Sequence, residues 1–428
     1  MNGGIRFQLS LMMFLQFFVW GSWAVTMGTY LNNIEFTGQE IGWAYSTTGW
    51  AAVFSPFLVG AIADRYVRAE VMMGILHLIG AVLMWIAASI TEPVMFIAVL
   101  VLYALCYMPT LGLVNAISFN QMKDPGEEFG AVRMFGTLGW IIAGLVITFG
   151  LDAALADIEV EATAMPLQMA AIASLALGLY SFTLPRTPPK LAGHKLDFKE
   201  VVRIATGADA LRLMRSFSFS VFVIGSLLVC IPLAFYYSWA NPFFNSTGME
   251  QVAGKMTMGQ MSEAVFLLIM PFFFRRLGVK YMLIVGMLAW VARYVLFAYG
   301  NADNLVWMFY AGILLHGICY DFFFVTGQIY VDRKAPKEIQ ASAQGFIAMV
   351  TYGVGMVIGS IVAGEIVEGY TVREAGEIVS RDWQTIWLLP AGMAFVVTVV
   401  FFVLFREPKE PMPIDVEEAA SEPVEGMM

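Results

Sequence analysis

His316-Gly-Ile-Cys-Tyr-Asp321-Phe-Phe-Phe-Val-Thr-Gly-Gln328 lies inside a run, Leu305 to Val331, that is otherwise almost wholly apolar. A bilayer-crossing helix needs about 20 such residues, so the run is long enough to span, and Asp321 falls well inside the hydrocarbon. A carboxylate there costs roughly 3 kcal/mol on insertion scales and has to face a partner or a wet cavity. On a helix His316 and Tyr320 share one face, and Gly317, Asp321, Phe324 and Gln328 share the neighbouring one. Two readings follow: a structural buried carboxyl, or a proton or cation site in a transport pathway.

The chain of 428 residues is 59% hydrophobic and 13% charged, with a mean hydropathy of +0.73. That balance excludes a soluble domain and gives an all-α, polytopic membrane protein. The net charge of −9 reflects a tail, Arg406 to Met428, with seven acids against two bases; it says nothing about a basic ligand. Cys106, Cys230 and Cys319 all fall in apolar runs, odd in number and far apart, and the three histidines are scattered. Neither set suggests a disulfide framework or a metal site. The first apolar run, Phe7 to Tyr30, is too long for a signal-peptide core.

Twelve spans are expected, near 7–30, 40–64, 70–91, 94–120, 130–152, 164–184, 215–244, 257–275, 280–300, 305–331, 340–367 and 384–405. Pro185-Arg-Thr-Pro-Pro-Lys190 opens a polar segment that separates six spans from six. The expected divisions are residues 1–185, a first six-helix bundle; 186–214, a linker with an amphipathic surface helix over Asp197 to Leu213; 215–405, a second bundle; and 406–428, an acidic tail. Basic residues gather on one side: Arg65, Arg68, Lys190, Lys195, Lys199, Arg203, Arg212, Arg275, Arg276, Lys280, Arg333, Lys334 and Lys337, against Lys255, Arg373 and Arg381 opposite. The positive-inside rule then puts both termini and the linker in the cytoplasm.

Gly60-Ala-Ile-Ala-Asp64-Arg65 follows the second span, and Phe274-Arg-Arg-Leu-Gly-Val-Lys280 follows the eighth, the matching place in the second half. The first of these resembles the signature loop of the major facilitator superfamily, whose two six-helix bundles rock around a midplane site. Its glycine allows close helix approach, and Asp64 with Arg65 forms a candidate conformational latch. Gly353, Gly355, Gly359 and Gly364 permit tight packing or bending in the eleventh span.

Further polar side chains lie inside the spans. Gln16, Trp20 and Trp23 share a face of the first, suited either to a flat solute or to interhelical glue. Arg133, Thr137 and Trp140 share a face of the fifth; Arg133 either snorkels to the surface or stands as a permanent cation beside a cavity. Gln260 and Glu263 share a face of the eighth and offer donors and acceptors suited to vicinal hydroxyls, unless Glu263 pairs with Arg293 of the ninth. His77 stands alone in the third span and reads as packing.

Phe14-Leu-Gln16-Phe with Trp20-Gly-Ser-Trp23, Tyr107-Met-Pro-Thr-Leu-Gly-Leu113, Arg133 with Gly136-Thr137, Gln260 with Ser262-Glu263, Leu296-Phe-Ala-Tyr-Gly300, Asp321-Phe-Phe, Ala341-Ser-Ala-Gln-Gly345 and Asp382-Trp-Gln-Thr385 occur in order. Together they resemble the nucleoside:proton symporter family of the major facilitator superfamily over nearly the whole chain. The resemblance implies nucleoside uptake driven by protons. It puts Arg133, Thr137, Gln260 and Glu263 at the central site, with Gln260 and Glu263 near the ribose and Asp321 as the proton-coupling carboxyl. The chain also departs from that pattern. The family's nucleobase-contacting Gln and Asn fall on Ala234 and Tyr237, His316 and Tyr320 replace other aromatics, and Trp140 replaces a Phe. The base half of the site is rebuilt around aromatic rings, with Tyr236, Tyr237 and Trp239 on the seventh span.

The expectation is thus a proton-coupled nucleoside importer of the bacterial inner membrane, working by alternating access as a monomer, without metal or cofactor and with no nucleic-acid partner. The expected substrate-binding residues are Gln16, Trp20, Arg133, Thr137, Trp140, Tyr237, Gln260, Glu263, His316 and Tyr320, with Asp321 and Glu263 coupling protons. The alternatives are a proton- or sodium-coupled symporter for a sugar or glycoside, and a transporter-like nutrient sensor. No nucleophile–base motif or metal-ligand cluster marks the sequence as an enzyme.

Overall fold

Backbone in hydrocarbon has to satisfy its own hydrogen bonds, so apolar runs of this length fold as helices. The computed structural model describes residues 1–58, 66–155, 158–189, 207–374 and 377–406. The first half comprises α1 (Gly3–Asn33), α2 (Gly38–Leu58), α3 (Ala69–Ala87), α4 (Pro93–Gln121), α5 (Glu128–Ala154) and α6 (Met165–Ser181). The second comprises α7 (Phe217–Ser246), α8 and α9 (the two arms of Val252–Tyr299), α10 (Val306–Lys334), α11 (Ser342–Gly369) and α12 (Trp383–Leu404). These helices are consistent with the twelve passes expected. Asp64 and Arg65, the candidate latch, lie outside the described residues, as does most of the expected surface helix; Ala208–Arg215, at its end, is a 3-10 turn.

Local chemistry fixes the helix ends. Glu92 caps α4, accepting from Val94 N at 3.1 Å and Met95 N at 2.7 Å, with Pro93 in the first turn, where its missing N–H costs nothing. Asp382 caps α12 through Thr385 N at 3.1 Å. Gly278 turns the chain between α8 and α9 at φ +66°, a backbone conformation that other residues adopt only with strain. The connection from α11 to α12 holds a hairpin that the sequence pattern does not announce, β1 (Thr371–Glu374) antiparallel to β2 (Glu377–Arg381).

Within the first half α1 packs on α5 and α6, and α3 on α4 and α6; within the second α7 packs on α11 and α12, and the α8–α9 pair on α10 and α12. The halves meet along α2–α11, α5–α8 and α1–α7. Small residues make this possible. A Cβ on Gly42 would sit 2.6 Å from Ser360 O, and one on Gly28 2.5 Å from Ser238 O. The α11 glycines serve two neighbours. Gly353 and Gly364 face α2 across the interface, while Gly355 and Gly359 face α7. At one end the hairpin and the end of α11 strap the halves together. Arg381 Nη2 donates to Asn32 Oδ1 at 2.7 Å, and Gly38 N donates to Glu368 Oε2 at 2.6 Å.

Candidate functional site

Where α1 and α5 of the first half face α7 and α11 of the second, a void of about 70 Å³ is lined by Trp20, Trp140, Tyr237 and Tyr352, among others. A smaller space of about 20 Å³ shares Trp140 and Tyr237 and adds Gln260. Gly21 lets this wall form, because a Cβ there would lie 2.9 Å from Trp140 Cα; without one, Trp20 and Trp140 meet edge to face with centroids 5.8 Å apart. Tyr320 does not line the void itself but meets one of its lining residues, its hydroxyl 3.1 Å from that of Tyr352.

Beside these rings lies a charged group of residues. Gly317 allows α10 to press on α8, since its Cβ would be 2.7 Å from Ser262 C. That approach brings His316 Nε2 to 3.7 Å from Glu263 Oε2. Arg133 does not snorkel. Its guanidinium lies over the Phe17 ring at 4.3 Å, with Nη1 free of hydrogen-bond partners and Glu263 within electrostatic reach across the interface. Thr137, one turn on, is partly buried. Asp321 is 1% exposed, Oδ2 has no hydrogen-bond partner, and it stands at the start of a π-helical turn, Asp321–Val325. Glu263 is the acid that acts on it electrostatically. An aromatic box with a hydrogen-bonding acid at its edge can stack a flat ring and hold hydroxyls. A second acid, dry and unpaired, can exchange a proton.

The expected residues are not all placed alike. Gln16 is fully buried and spent on the protein: its Nε2 donates to Thr110 Oγ1 at 2.7 Å, and its Oε1 meets His77 Nε2 at 2.9 Å. Of its two readings, interhelical glue is the one this geometry carries. His77, read as alone, also meets Ser174 Oγ at 2.9 Å and so ties α1, α3 and α6 together. Trp239 turns away from the cavity toward the hairpin, with Arg381 5.3 Å over its ring; Tyr237, two residues earlier, takes the cavity side, as helical geometry requires. Ala234 is wholly buried against α11, where a Cβ on Gly359 would lie 2.8 Å from its own, leaving no room for an amide. Glu263 does not pair with Arg293; the His316 imidazole stands 3.7 Å from it, and Arg133 is the cation that faces it. Sequence reasoning missed Tyr352, hidden among the α11 glycines, and the polar contacts at the strapped end, which involve Glu161, Asn241 and Arg381.

With this arrangement in view, comparison with known proteins is decisive. Residues 3–410 match the family model for nucleoside H+ symporters. The chain belongs to the nucleoside H+ symporter family. It is 40% identical over 403 residues to the putative nucleoside transporter YegT of Escherichia coli, covering 94% of this chain and 93% of that one. It is 33% identical over 426 residues to the xanthosine permease of the same organism, covering 96% and 98%. The crystal structure of the nucleoside transporter NupG superposes with a TM-score of 0.83 at 33% identity, covering 95% of this chain and all of that one. As a member of the nucleoside H+ symporter family the chain is a multi-span membrane transporter with the major facilitator architecture, not an enzyme.

Proposed function

We infer that the protein imports nucleosides in symport with protons, across a bacterial inner membrane and by alternating access. The observation that carries this reading is the aromatic void between the halves, with Gln260 on the smaller space that shares its Trp140 and Tyr237 wall, and the Glu263–His316 pair one turn further along α8. Trp20, Trp140, Tyr237 and Tyr320 grip the base by stacking, which any base satisfies. Gln260 and Glu263 take the ribose hydroxyls, Arg133 and Thr137 complete the first-half wall, and His316 closes the base end. Asp321 carries the coupled proton, with Glu263 its electrostatic partner. The clustering of Lys and Arg in the loops on one side supports placing both termini in the cytoplasm and the strapped end outside. The chain works as a monomer without a cofactor, since both halves of the site come from one polypeptide.

The relatives' names, a nucleoside transporter and a xanthosine permease, support the substrate class. With Ala234 sealed under α11 and no amide there to read a base edge, adenosine, uridine, cytidine and guanosine are expected within about tenfold of one another, less than a well-placed polar contact discriminates. The test is accumulation of each in proteoliposomes under an imposed pH gradient, with a glycoside panel beside it. Nucleoside accumulation that collapses with a protonophore is the expected result. Uptake of a glycoside alone would replace the substrate class, and binding without accumulation would make the protein a sensor.

A further inference from the structure

An arginine in the middle of a membrane span needs a reason. Arg293 of α9 is 0% exposed, and among the described residues it has no carboxylate partner. Its Nε donates to Gly312 O at 3.0 Å, while Nη1 and Nη2 have no hydrogen-bond acceptor. Its guanidinium lies 4.2 Å over the Tyr236 ring. These two contacts converge on one residue. Gly312 stands one helical turn ahead of His316 on α10, so its carbonyl is the one that faces the His316 backbone. Tyr236 stacks on the His316 ring, with centroids 5.3 Å apart and planes 25° apart. His316 in turn stacks on Tyr320 at 5.9 Å and 26°. Four planar groups therefore form one file, Arg293–Tyr236–His316–Tyr320, which ends where the Tyr320 hydroxyl meets that of Tyr352 on the void's wall. Along that file the only ring nitrogen beside the cavity acid is His316 Nε2, while His316 Nδ1 is left without a partner.

We propose that Arg293 is a positioning residue of the transport site: by clamping Tyr236 and the backbone at Gly312 it fixes the plane of His316, and with it the hydrogen-bonding edge that the site offers next to Glu263. The inference rests on the reading of His316 as a site residue given above. A cation held over an aromatic face in a dry environment is strongly attracted to it. That attraction presses Tyr236 against the imidazole and keeps the ring from turning its edge away. A neutral side chain at position 293 would fill the space without the clamp. The consequence is one of specificity: His316 is the polar group assigned to the base end, so its angle decides which base edges it can meet.

The experiment is a double-mutant cycle on the full-length protein in detergent and in proteoliposomes, reading the ratio of adenosine to uridine affinity and the KM-against-kcat split. Arg293→Gln and Arg293→Met, which remove the cation, are expected to change that ratio by ~fivefold or more, the scale of a desolvated cation–π contact. In a His316→Phe background the same substitutions are expected to change it less than twofold, because the edge they control is gone. Equal changes in both backgrounds, or no change in either, would overturn the proposal. Should the Arg293 variants fail to fold, Tyr236→Leu breaks the file with the arginine in place and is expected to reproduce the ratio change, whereas Tyr236→Phe preserves it; a Tyr236→Leu ratio equal to wild type would overturn the proposal as well. If His316→Phe alone leaves every nucleoside unaffected, the fault lies in the assignment of His316 to the site, and the inference drawn from it fails with it.

Discussion

Glu161, in the connection between α5 and α6, accepts a 2.7 Å hydrogen bond from Asn241 Nδ2 of α7, in the opposite half. The same carboxylate accepts from Asn245 Nδ2 at 3.2 Å and from Ala253 N, in the first turn of α8, at 2.7 Å. Thr29 of α1 donates to Asn241 Oδ1. A carboxylate 3% exposed thus sits against the positive end of a helix from the other half, and the halves cannot part at this end without breaking its three bonds and the one from Thr29 to Asn241. Removing one partner of a buried, hydrogen-bonded charge costs about 2–5 kcal/mol. Glu161→Ala is therefore expected to open the strapped end. With Cys106, Cys230 and Cys319 replaced and a single cysteine at Ala24, labelling by an impermeant maleimide should speed up by about tenfold or more. Unchanged labelling would mean the hairpin alone holds the end shut.

The same latch has a pH dependence of defined sign. Burial raises the Glu161 carboxyl above its ordinary 4.5, against the pull of the Ala253 amide and the two asparagines. The closed form therefore binds this proton more tightly than an open, solvated form does. Closure gains from it fully below the ordinary value, and the gain is lost as pH rises through the raised one. Labelling at Ala24→Cys should quicken as pH rises through that window, and Glu161→Gln should flatten the dependence. A pH profile identical in the two proteins would remove Glu161 from the gate.

Asp321→Asn is expected to abolish accumulation driven by a pH gradient while keeping nucleoside counterflow within about threefold, because an amide of the same shape cannot shed a proton. The two assays run on one vesicle preparation decide it. Concentrative uptake by the variant would move the proton to Glu263.

Gln260→Ala and Glu263→Gln should each weaken ribonucleoside binding by about tenfold, about 1.4 kcal/mol, and leave 2′,3′-dideoxynucleosides nearly unaffected, since the lost contact is to the hydroxyls. Isothermal titration of both substrate series checks this. Equal losses in the two series would assign these side chains to the base or to the fold.

His77→Ala should cost stability rather than affinity. It leaves the buried Gln16 Oε1 and Ser174 Oγ without their ring partner, a penalty of about 1–3 kcal/mol for an unsatisfied buried group. A lower unfolding temperature with nucleoside affinity within about twofold of wild type is the expected pair of results. A large loss of affinity at unchanged stability would return Gln16 to the binding site.

The sequence alone determined the membrane class and the two-half plan and singled out Asp321 and Glu263 as intramembrane acids to be explained, because each is written in chemistry that needs no partner to be read. A 27-residue apolar run from Leu305 to Val331 has to span, and an aspartate within it has to be explained wherever the other helices lie. Gln260 with Glu263, and Arg133 with Trp140, could be singled out because helical spacing puts each set on one face, whereas Tyr237 was singled out only where the chain departs from the pattern of the family it resembles. Which faces meet was decided only by the tertiary structure. Gln16 and Trp20 are one turn apart on α1, yet packing seals the first against His77 and Thr110 and leaves the second at the cavity. Tyr236 and Tyr237 are adjacent and both reach the smaller space, yet the first is clamped under Arg293 and only the second lines the larger void. The Glu161–Asn241 bond joins residues 80 apart in the chain, in different halves. Periodicity reports direction around a single helix, whereas a site between two bundles depends on the mutual rotation of twelve; that rotation is fixed by where glycines such as Gly21, Gly42 and Gly317 let backbones touch.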